Sequence, residues 1–225
     1  MRLARRDQLQ HGDLVHSTWR GHNKEWILGS RDRKERYLDL LTKYALKSDF
    51  KLHSYCVMSN HDHTVGRNET VDGYSKLQQR VHGCYAQEYN KENSREGAVG
   101  SGRPKSIVVK DERHLMNAMF YVDANPLRAG VVKHPQHYRW SSYNYYAFGQ
   151  ADAWTRAIEP PEWYLCLGRT PRARQRAYRR LCDAYLRRED LLPRPVPLFD
   201  RSTRLYRLWQ RQQAGRGCIA PPDTS

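Results

Sequence analysis

The sequence predicts an α+β fold in which helices pack against a small sheet. Two observations support this fold class. Short runs rich in β-branched and aromatic residues are typical of strands, and longer segments carry apolar residues at helical spacing. The two kinds of segment alternate along the chain, which favours helices layered on a sheet. A length of 225 residues suits one domain with an appendage or two small domains.

The first part of the chain predicts a strand, a helix and a second strand. The first strand covers residues 15–19 and ends before Gly21, where glycine permits a turn. A helix follows from Asp32 to about Lys47, because Asp32 and Glu35 have the spacing of a capping box. The aromatic-rich run 50–58 is the second strand.

The middle of the chain continues the same alternation. Asp111 is a typical N-terminal helix cap, and Pro126 disfavours helical geometry at Asn125, so the helix that starts at Asp111 should end or restart there. The remaining predicted elements are a strand at 61–65, a polar loop at 66–73, a helix at 74–89, a loop at 90–104, a strand at 107–109 and a helix at 111–124.

The composition points to a polyanionic partner. The formal net charge is +15, with 39 Lys and Arg against 24 acidic residues, and cations placed on phosphates release condensed counterions. No apolar run is long enough to span a membrane, and the N-terminus lacks the apolar core of a signal peptide. The five cysteines are scattered without a C-x-x-C pair, which predicts reduced thiols in a cytoplasmic protein.

The chain changes character after about residue 150. Residues 151–225 contain 15 Arg and no Lys, and they predict a basic helix at 172–187, a proline-rich linker and an Arg-rich segment at 201–216. We therefore divide the chain into a domain at 1–150 and a basic C-terminal extension at 151–225.

His61 and His63 are candidate metal ligands. Residues two apart on a strand share a face, so the two imidazoles can point at one cation. Histidines on the solvent side of an edge strand would have the same spacing, so the pattern alone is weak.

Tyr121 and Asn125 form the second candidate pair. Their spacing places both on one helix face if the helix reaches Asn125. A tyrosine can act as a covalent nucleophile, and an amide oxygen four residues later can ligate a metal. The chain has 15 tyrosines, however, and Asn before Pro is also common in turns.

Five segments resemble motifs of the REP-associated tyrosine transposases, in the same order. They are residues 14–21 (LVHSTWRG), 55–63 (YCVMSNHDH), 102–106 (GRPKS), 121–130 (YVDANPLRAG) and 140–143 (WSSY). Residues 55–63 resemble the Y-C-x-M-P-N-H-x-H motif, and 121–130 match Y-x-x-x-N-P-x-R-A-G closely. The chain departs from the pattern at Ser59, where the family has proline, and at Asp62, where it has a hydrophobic residue. Strand alternation predicts that Asp62 points away from the metal, where a buried carboxylate needs a partner.

The resemblance implies a ferredoxin-like antiparallel sheet with helices on one face and a His-hydrophobic-His (HUH) metal site on the other. His61, His63 and Asn125 would hold Mg²⁺ or Mn²⁺. Tyr121 would attack a phosphate of single-stranded DNA and form a 5′-phosphotyrosine, and a 3′-hydroxyl could then rejoin strands. The expected partners are single-stranded DNA and DNA hairpins, bound by a monomer or homodimer in the cytoplasm, at the nucleoid.

Seven basic residues are candidate DNA contacts because their charge or position suits phosphate binding. They are Arg103, Lys105, Arg128, Arg172, Arg176, Arg179 and Arg180. His16 also matches a family position and could lie near the site, although a hydrogen-bonded strand histidine is the more ordinary interpretation.

Three other functions fit parts of the pattern. A catalytically inactive relative would bind DNA hairpins without cutting them. A metal-dependent hydrolase would use water and would not need Tyr121. An RNA-binding protein with an accidental His-x-His pair would prefer RNA.

Overall fold

The computed structural model describes residues 9–187 of the chain. Within them, strands β1 (Leu14–Arg20), β2 (Phe50–Val57), β3 (His61–Asn68) and β4 (Lys105–Val109) form one antiparallel sheet. Their spatial order is β2-β3-β1-β4. Helix α1 (Arg31–Ala45) connects β1 to β2, and α2 (Val71–Glu92) connects β3 to β4. This is the order of a ferredoxin-like split β-α-β sheet, so the predicted α+β class and antiparallel sheet are confirmed.

Helices α1 and α2 cover one face of the sheet. Trp19 of β1 pairs with Asp62 of β3, and both side chains are buried on this face. The Trp19 indole stacks on His82 of α2 at 4.4 Å and on Tyr37 of α1 at 6.2 Å between ring centroids. Because successive strand residues alternate between faces, His61 and His63 lie on the other side.

Helix α3 (Glu112–Arg128) packs on that other face, against β2 and β3. Its Tyr121 ring lies 5.8 Å from the His63 ring. The prediction that helices lie on one face and the site on the other is therefore wrong in one respect, since α3 covers part of the site face. Sequence periodicity shows that a helix has an apolar side but not which face of a sheet that side meets.

Both ends of α3 test the predicted boundaries. The Asp111 carboxylate accepts a 2.7 Å hydrogen bond from the backbone N–H of His114, which confirms Asp111 as the cap. The predicted end at Asn125 is wrong, because the helix continues through Pro126 to Arg128. Pro126 lies in the last turn, so its missing N–H removes one helical hydrogen bond near the end.

The start of α1 also differs from the prediction. Ser30, rather than Asp32, is the N-terminal cap, and its hydroxyl accepts a hydrogen bond from the Arg33 N–H at 3.3 Å. Serine is as good a cap as aspartate, and the helix begins one residue earlier than expected. Asp32 lies in the first turn, where a carboxylate favours the helix dipole.

Part of the predicted extension packs into the same core as the sheet. Helices α4 (Tyr143–Phe148), α5 (Glu162–Leu165) and α6 (Pro171–Leu186) follow α3, and α6 contributes fully buried Tyr178 to the hydrophobic core. The predicted basic helix at 172–187 is thus confirmed as α6. The proline-rich linker and the segment at 201–216 lie outside the described residues, and the domain boundary at 150 stays a prediction.

The cysteines and the helices bear on two further expectations, reduced thiols and the lack of a membrane span. Cys56, Cys84 and Cys182 are free thiols, but Cys166 is disulfide-bonded, so the expectation that all cysteines are reduced is wrong at that position. Among residues 9–187, none of the helices is both long and apolar enough to cross a membrane.

Candidate active site

His61 and His63 share the site face of β3, with ring centroids 4.9 Å apart. His61 is partly exposed and His63 is buried. The His61 Nδ1 atom lies 2.6 Å from the side-chain oxygen of Asn60. Because an amide oxygen only accepts hydrogen bonds, this contact places the His61 proton on Nδ1 and leaves the Nε2 lone pair available.

The two ring nitrogens of His63 differ in their hydrogen-bond contacts. Its Nδ1 atom lies 2.9 Å from His16 Nε2 and 3.0 Å from the Thr18 hydroxyl. Its Nε2 atom is buried without a hydrogen-bond partner of normal geometry in the described chain. A buried imidazole nitrogen without a partner is the kind of atom that a bound cation would satisfy. Thr18 was not predicted, although it shares a face with His16 two residues earlier.

Burial keeps these three histidines neutral. Desolvation, followed by the charges of His114 and Lys105, lowers the pKa of His16 to about 4. Desolvation and the nearby Arg20 lower the pKa of His61 to about 4. Desolvation, followed by the neighbouring His16 and His61, lowers the pKa of His63 well below its ordinary value. Neutral imidazole is the form that ligates metals.

Helix α3 brings Tyr121 and Asn125 to the histidines. The Tyr121 ring is half-buried and lies edge-on to both His16 and His63, at 5.9 Å and 5.8 Å between centroids. One turn later, the Asn125 side-chain N–H donates to the Tyr121 backbone carbonyl at 2.9 Å. The Asn125 side chain is also close enough to His63 to raise the pKa of that ring slightly against the effect of burial.

Arg128 lies next to Tyr121 and connects it to α6. Its guanidinium carbon is 5.1 Å from the Tyr121 ring centroid and 5.5 Å from that of Tyr185. The same guanidinium donates a 3.2 Å hydrogen bond to the Tyr185 hydroxyl. Tyr185 was not predicted as part of the site, because nothing in its sequence neighbourhood indicates a contact with α3.

Two of the predicted DNA contacts lie on or beside β4. Lys105 pairs with Thr18 in the sheet register, so its exposed side chain is on the site face and next to the histidines. Arg103 is exposed in the preceding segment. Lys105 therefore places positive charge at the edge of the site, whereas Arg103 lines a cavity with Trp19 and His82, on the face of the sheet that α2 covers.

The four predicted α6 contacts do not form one group. Arg172, Arg176 and Arg180 are exposed and four residues apart, so they form a basic stripe along α6. Arg179 is partly buried, donates to the Ala147 carbonyl and lies 4.9 Å from the Phe148 ring centroid. These contacts tie Arg179 to α4.

Asp62 has the partners that its buried position requires. Its carboxylate accepts hydrogen bonds from the Trp19 backbone N–H at 2.8 Å and from the Tyr37 hydroxyl at 2.9 Å. The Tyr37 hydroxyl is also 3.0 Å from His82 Nε2. The predicted orientation of Asp62, away from the candidate ligands, is confirmed. Desolvation raises the pKa of Asp62 to about 7 despite these hydrogen bonds.

The candidate ligands fit a divalent cation in chemistry. Two neutral imidazoles and an amide oxygen suit several divalent metals, and His63 Nε2 is buried without a hydrogen-bond partner of normal geometry among the described residues. Among the described residues, no group of three or more His, Cys, Asp and Glu side chains is placed to hold a metal. A site built from His61, His63 and Asn125 contains two side chains of these types, and its third ligand would be an amide oxygen.

The fold resembles that of a solved transposase. The structure of a REP-associated tyrosine transposase bound to a REP hairpin aligns with 68% of this chain and 89% of that chain, with a TM-score of 0.53 and 14% sequence identity. At this identity the similarity supports a common fold. No family profile matches the chain, and no curated protein is similar to it in sequence.

Proposed function

We propose that this protein is a metal-dependent single-stranded DNA endonuclease and strand transferase, a tyrosine transposase that acts at palindromic hairpins. The observation that carries the proposal is the position of Tyr121, whose ring contacts both His16 and His63. His63 and Tyr121 are 58 positions apart in the sequence, and their proximity in the fold supports the proposal. The related fold of a transposase bound to a DNA hairpin supports a DNA-processing function.

In this proposal, Tyr121 is the nucleophile. Its phenol oxygen loses its proton and forms a bond to the scissile phosphorus, while the bond from phosphorus to the 3′-oxygen breaks. The departing 3′-oxygen takes up a proton, so a 3′-hydroxyl is released beside a 5′-phosphotyrosine and no net proton is consumed. A later 3′-hydroxyl reverses the step and joins a new strand, which makes the reaction a transfer. The Asn125 side chain, bonded to the Tyr121 carbonyl, fixes the helical turn between the two residues.

His61, His63 and Asn125 are the proposed ligands of Mg²⁺ or Mn²⁺. When bound, the cation polarises a phosphoryl oxygen and stabilises the charge that develops in the reaction. The ring nitrogens fit this role because His61 Nδ1 is occupied by Asn60 and His63 Nε2 is buried without a partner of normal geometry in the described chain.

The basic residues around the site are proposed to bind DNA. Lys105 and Arg128 are near the histidines and Tyr121 and suit phosphates next to the cleavage point. Arg103 lies in the segment that leads into β4. The exposed stripe Arg172, Arg176 and Arg180 suits the backbone of a hairpin stem. Arg179 is proposed to contribute mainly by holding α6 against α4. With DNA as the partner, the protein would act at the nucleoid, as a monomer or homodimer.

A covalent-adduct assay tests the proposal. The full chain and its Tyr121→Phe variant are incubated with end-labelled single-stranded DNA carrying candidate hairpins, with Mg²⁺ or Mn²⁺, and analysed on a denaturing gel. We expect a metal-dependent protein–DNA band that the variant lacks. Tight hairpin binding without an adduct would identify an inactive DNA-binding relative. Cleavage that survives the substitution would identify a hydrolase that uses water. Preferential RNA binding would contradict all of these DNA functions.

A further inference from the structure

His16 is placed to control how His63 presents its ring to a cation. It lies on β1, is 7% exposed, and directs Nε2 to within 2.9 Å of His63 Nδ1. The Thr18 hydroxyl approaches the same His63 atom at 3.0 Å. Polar neighbours therefore converge on Nδ1 of His63, which leaves Nε2 as the nitrogen on the side of the candidate metal site.

The position of one proton decides whether His63 can act as a ligand. A neutral imidazole carries its N–H on one nitrogen and a lone pair on the other, and hydrogen bonds select between these tautomers. With the proton on Nδ1, the lone pair on Nε2 is available to a cation. With the proton on Nε2, His63 can only donate from that atom, toward the side chain of Asn125. The hydrogen-bond partner of His63 Nδ1 therefore decides whether Nε2 can bind a cation, although that partner does not itself touch the cation.

We propose that His16 is a positioning residue whose Nε2 lone pair accepts the Nδ1–H of His63 and so holds His63 in the metal-binding tautomer. This inference rests on the proposed function for its consequence, but the hydrogen bond can be measured in metal-free protein. Ligand histidines in metalloproteins characteristically donate their second N–H to a hydrogen-bond acceptor such as a carboxylate or a backbone carbonyl, which fixes both tautomer and ring orientation. His16 would supply that acceptor here.

The neighbouring ligand supports this assignment. His61 Nδ1 is 2.6 Å from the side-chain oxygen of Asn60, and that oxygen can only accept. Each of the two candidate histidine ligands thus has an acceptor on Nδ1, and both keep Nε2 for the cation. His16 differs from Asn60 because its ring also lies edge-on to Tyr121 at 5.9 Å, so the same side chain orients the ligand and packs against the proposed nucleophile.

The first test determines the tautomer directly. Long-range proton–nitrogen NMR of histidine-labelled, metal-free protein distinguishes a protonated from an unprotonated ring nitrogen. We expect His63 of the wild type to carry its proton on Nδ1, and the His16→Leu variant to shift toward protonation on Nε2. Thr18→Val is the matched control, since it removes the other neighbour of Nδ1 and should leave the tautomer unchanged. Protonation on Nε2 in the wild type, or no change in His16→Leu, would overturn the inference.

The second test measures the consequence for metal binding. Mn²⁺ titration followed by electron paramagnetic resonance should show affinity weakened by about tenfold to a hundredfold in His16→Leu. His16→Gln should restore much of it, because a glutamine side-chain oxygen can replace Nε2 as acceptor. Circular dichroism of each variant verifies the fold.

The two tests separate this inference from the proposed function. If the wild type shows the expected tautomer and its change in His16→Leu, but Mn²⁺ does not bind, the positioning role stands and the metal-dependent function fails. If Mn²⁺ binds the wild type and His16→Leu equally well, the positioning role fails and the metal site stands.

Discussion

The carboxylate of Asp62 accepts a 2.9 Å hydrogen bond from the Tyr37 hydroxyl, on the face of the sheet opposite the candidate ligands. Asp62 therefore separates His61 and His63 in the sequence without entering their site. The residue that departs most from the transposase motif is accommodated by helix α1. Among the described residues, the contacts of Asp62 leave the candidate ligands in place, which is consistent with the proposed function.

This buried acid predicts a specific pH dependence of stability. Desolvation raises the pKa of Asp62 from 3.8 to about 7, so the folded state holds the proton more tightly than the unfolded state. The contribution of Asp62 to the stability of the fold is fully present below the unfolded pKa of this group. It is lost as the pH rises through about 7. One pKa unit corresponds to about 1.4 kcal/mol, so the loss is at most on the order of 4 kcal/mol.

Asp62→Asn tests that dependence, because asparagine mimics the protonated acid but does not titrate. Urea unfolding of both proteins should show the variant gaining stability relative to the wild type as the pH rises from about 5 to about 8. The buried histidines, whose lowered pKa values favour folding as the pH rises, act equally in both proteins. Their contribution therefore cancels in the difference between the two free energies of unfolding. A difference that does not change with pH would contradict the assignment.

Tyr178→Phe should destabilise the protein. The Tyr178 hydroxyl donates to the buried carboxylate of Asp123, whose other oxygen has no partner among the described residues. Loss of the hydroxyl leaves that acid without its donor, at an expected cost of about 1–3 kcal/mol in the free energy of unfolding. Combining the change with Asp123→Leu should recover most of the loss, because both polar partners are then absent. A single variant as stable as the wild type would contradict a structural role for this pair.

The stripe on α6 predicts a change in the salt dependence of DNA binding. Alanine at Arg172, Arg176 or Arg180 should weaken hairpin binding across sequences. Each substitution should also reduce the slope of log affinity against log salt by about one, because one phosphate is no longer neutralised. Arg31→Ala is the control, since that arginine pairs with Glu35 on α1. Fluorescence anisotropy over a salt series measures the slopes. Equal slopes for the stripe variants and the wild type would show that α6 does not contact DNA.

Asn125→Ala should weaken Mn²⁺ binding while leaving the fold largely intact. The variant loses the proposed amide ligand and the hydrogen bond to the Tyr121 carbonyl, but the backbone of α3 keeps its own helical bonds. Asn144→Ala is a suitable control, because Asn144 is also an amide bonded to a backbone carbonyl, that of Gln136, and lies outside the proposed site. Titration with Mn²⁺ measures both. Unchanged affinity in Asn125→Ala would remove Asn125 from the proposed ligand set.

The sequence predicted the parts of this site that depend on local periodicity. Strand alternation placed His61 and His63 on one face and Asp62 on the other, and the cap at Asp111 was correct. The sequence did not predict that α3 continues past Pro126. The free-energy cost of a proline depends on how many helical residues follow it, and here only two do. Nor did it predict the contacts of Thr18, Tyr178 and Tyr185, since these depend on the packing of distant elements.

The most direct test of the central claim is to locate the covalent bond to DNA. The wild-type protein is reacted with a hairpin-bearing single strand and Mn²⁺, digested with nuclease and protease, and analysed by tandem mass spectrometry. We expect a nucleotide joined through its 5′-phosphate to the peptide that contains Tyr121. We expect none on Tyr145, a partly exposed tyrosine of α4. A nucleotide on another residue, or cleaved DNA with no modified peptide, would contradict the assignment of Tyr121 as the nucleophile.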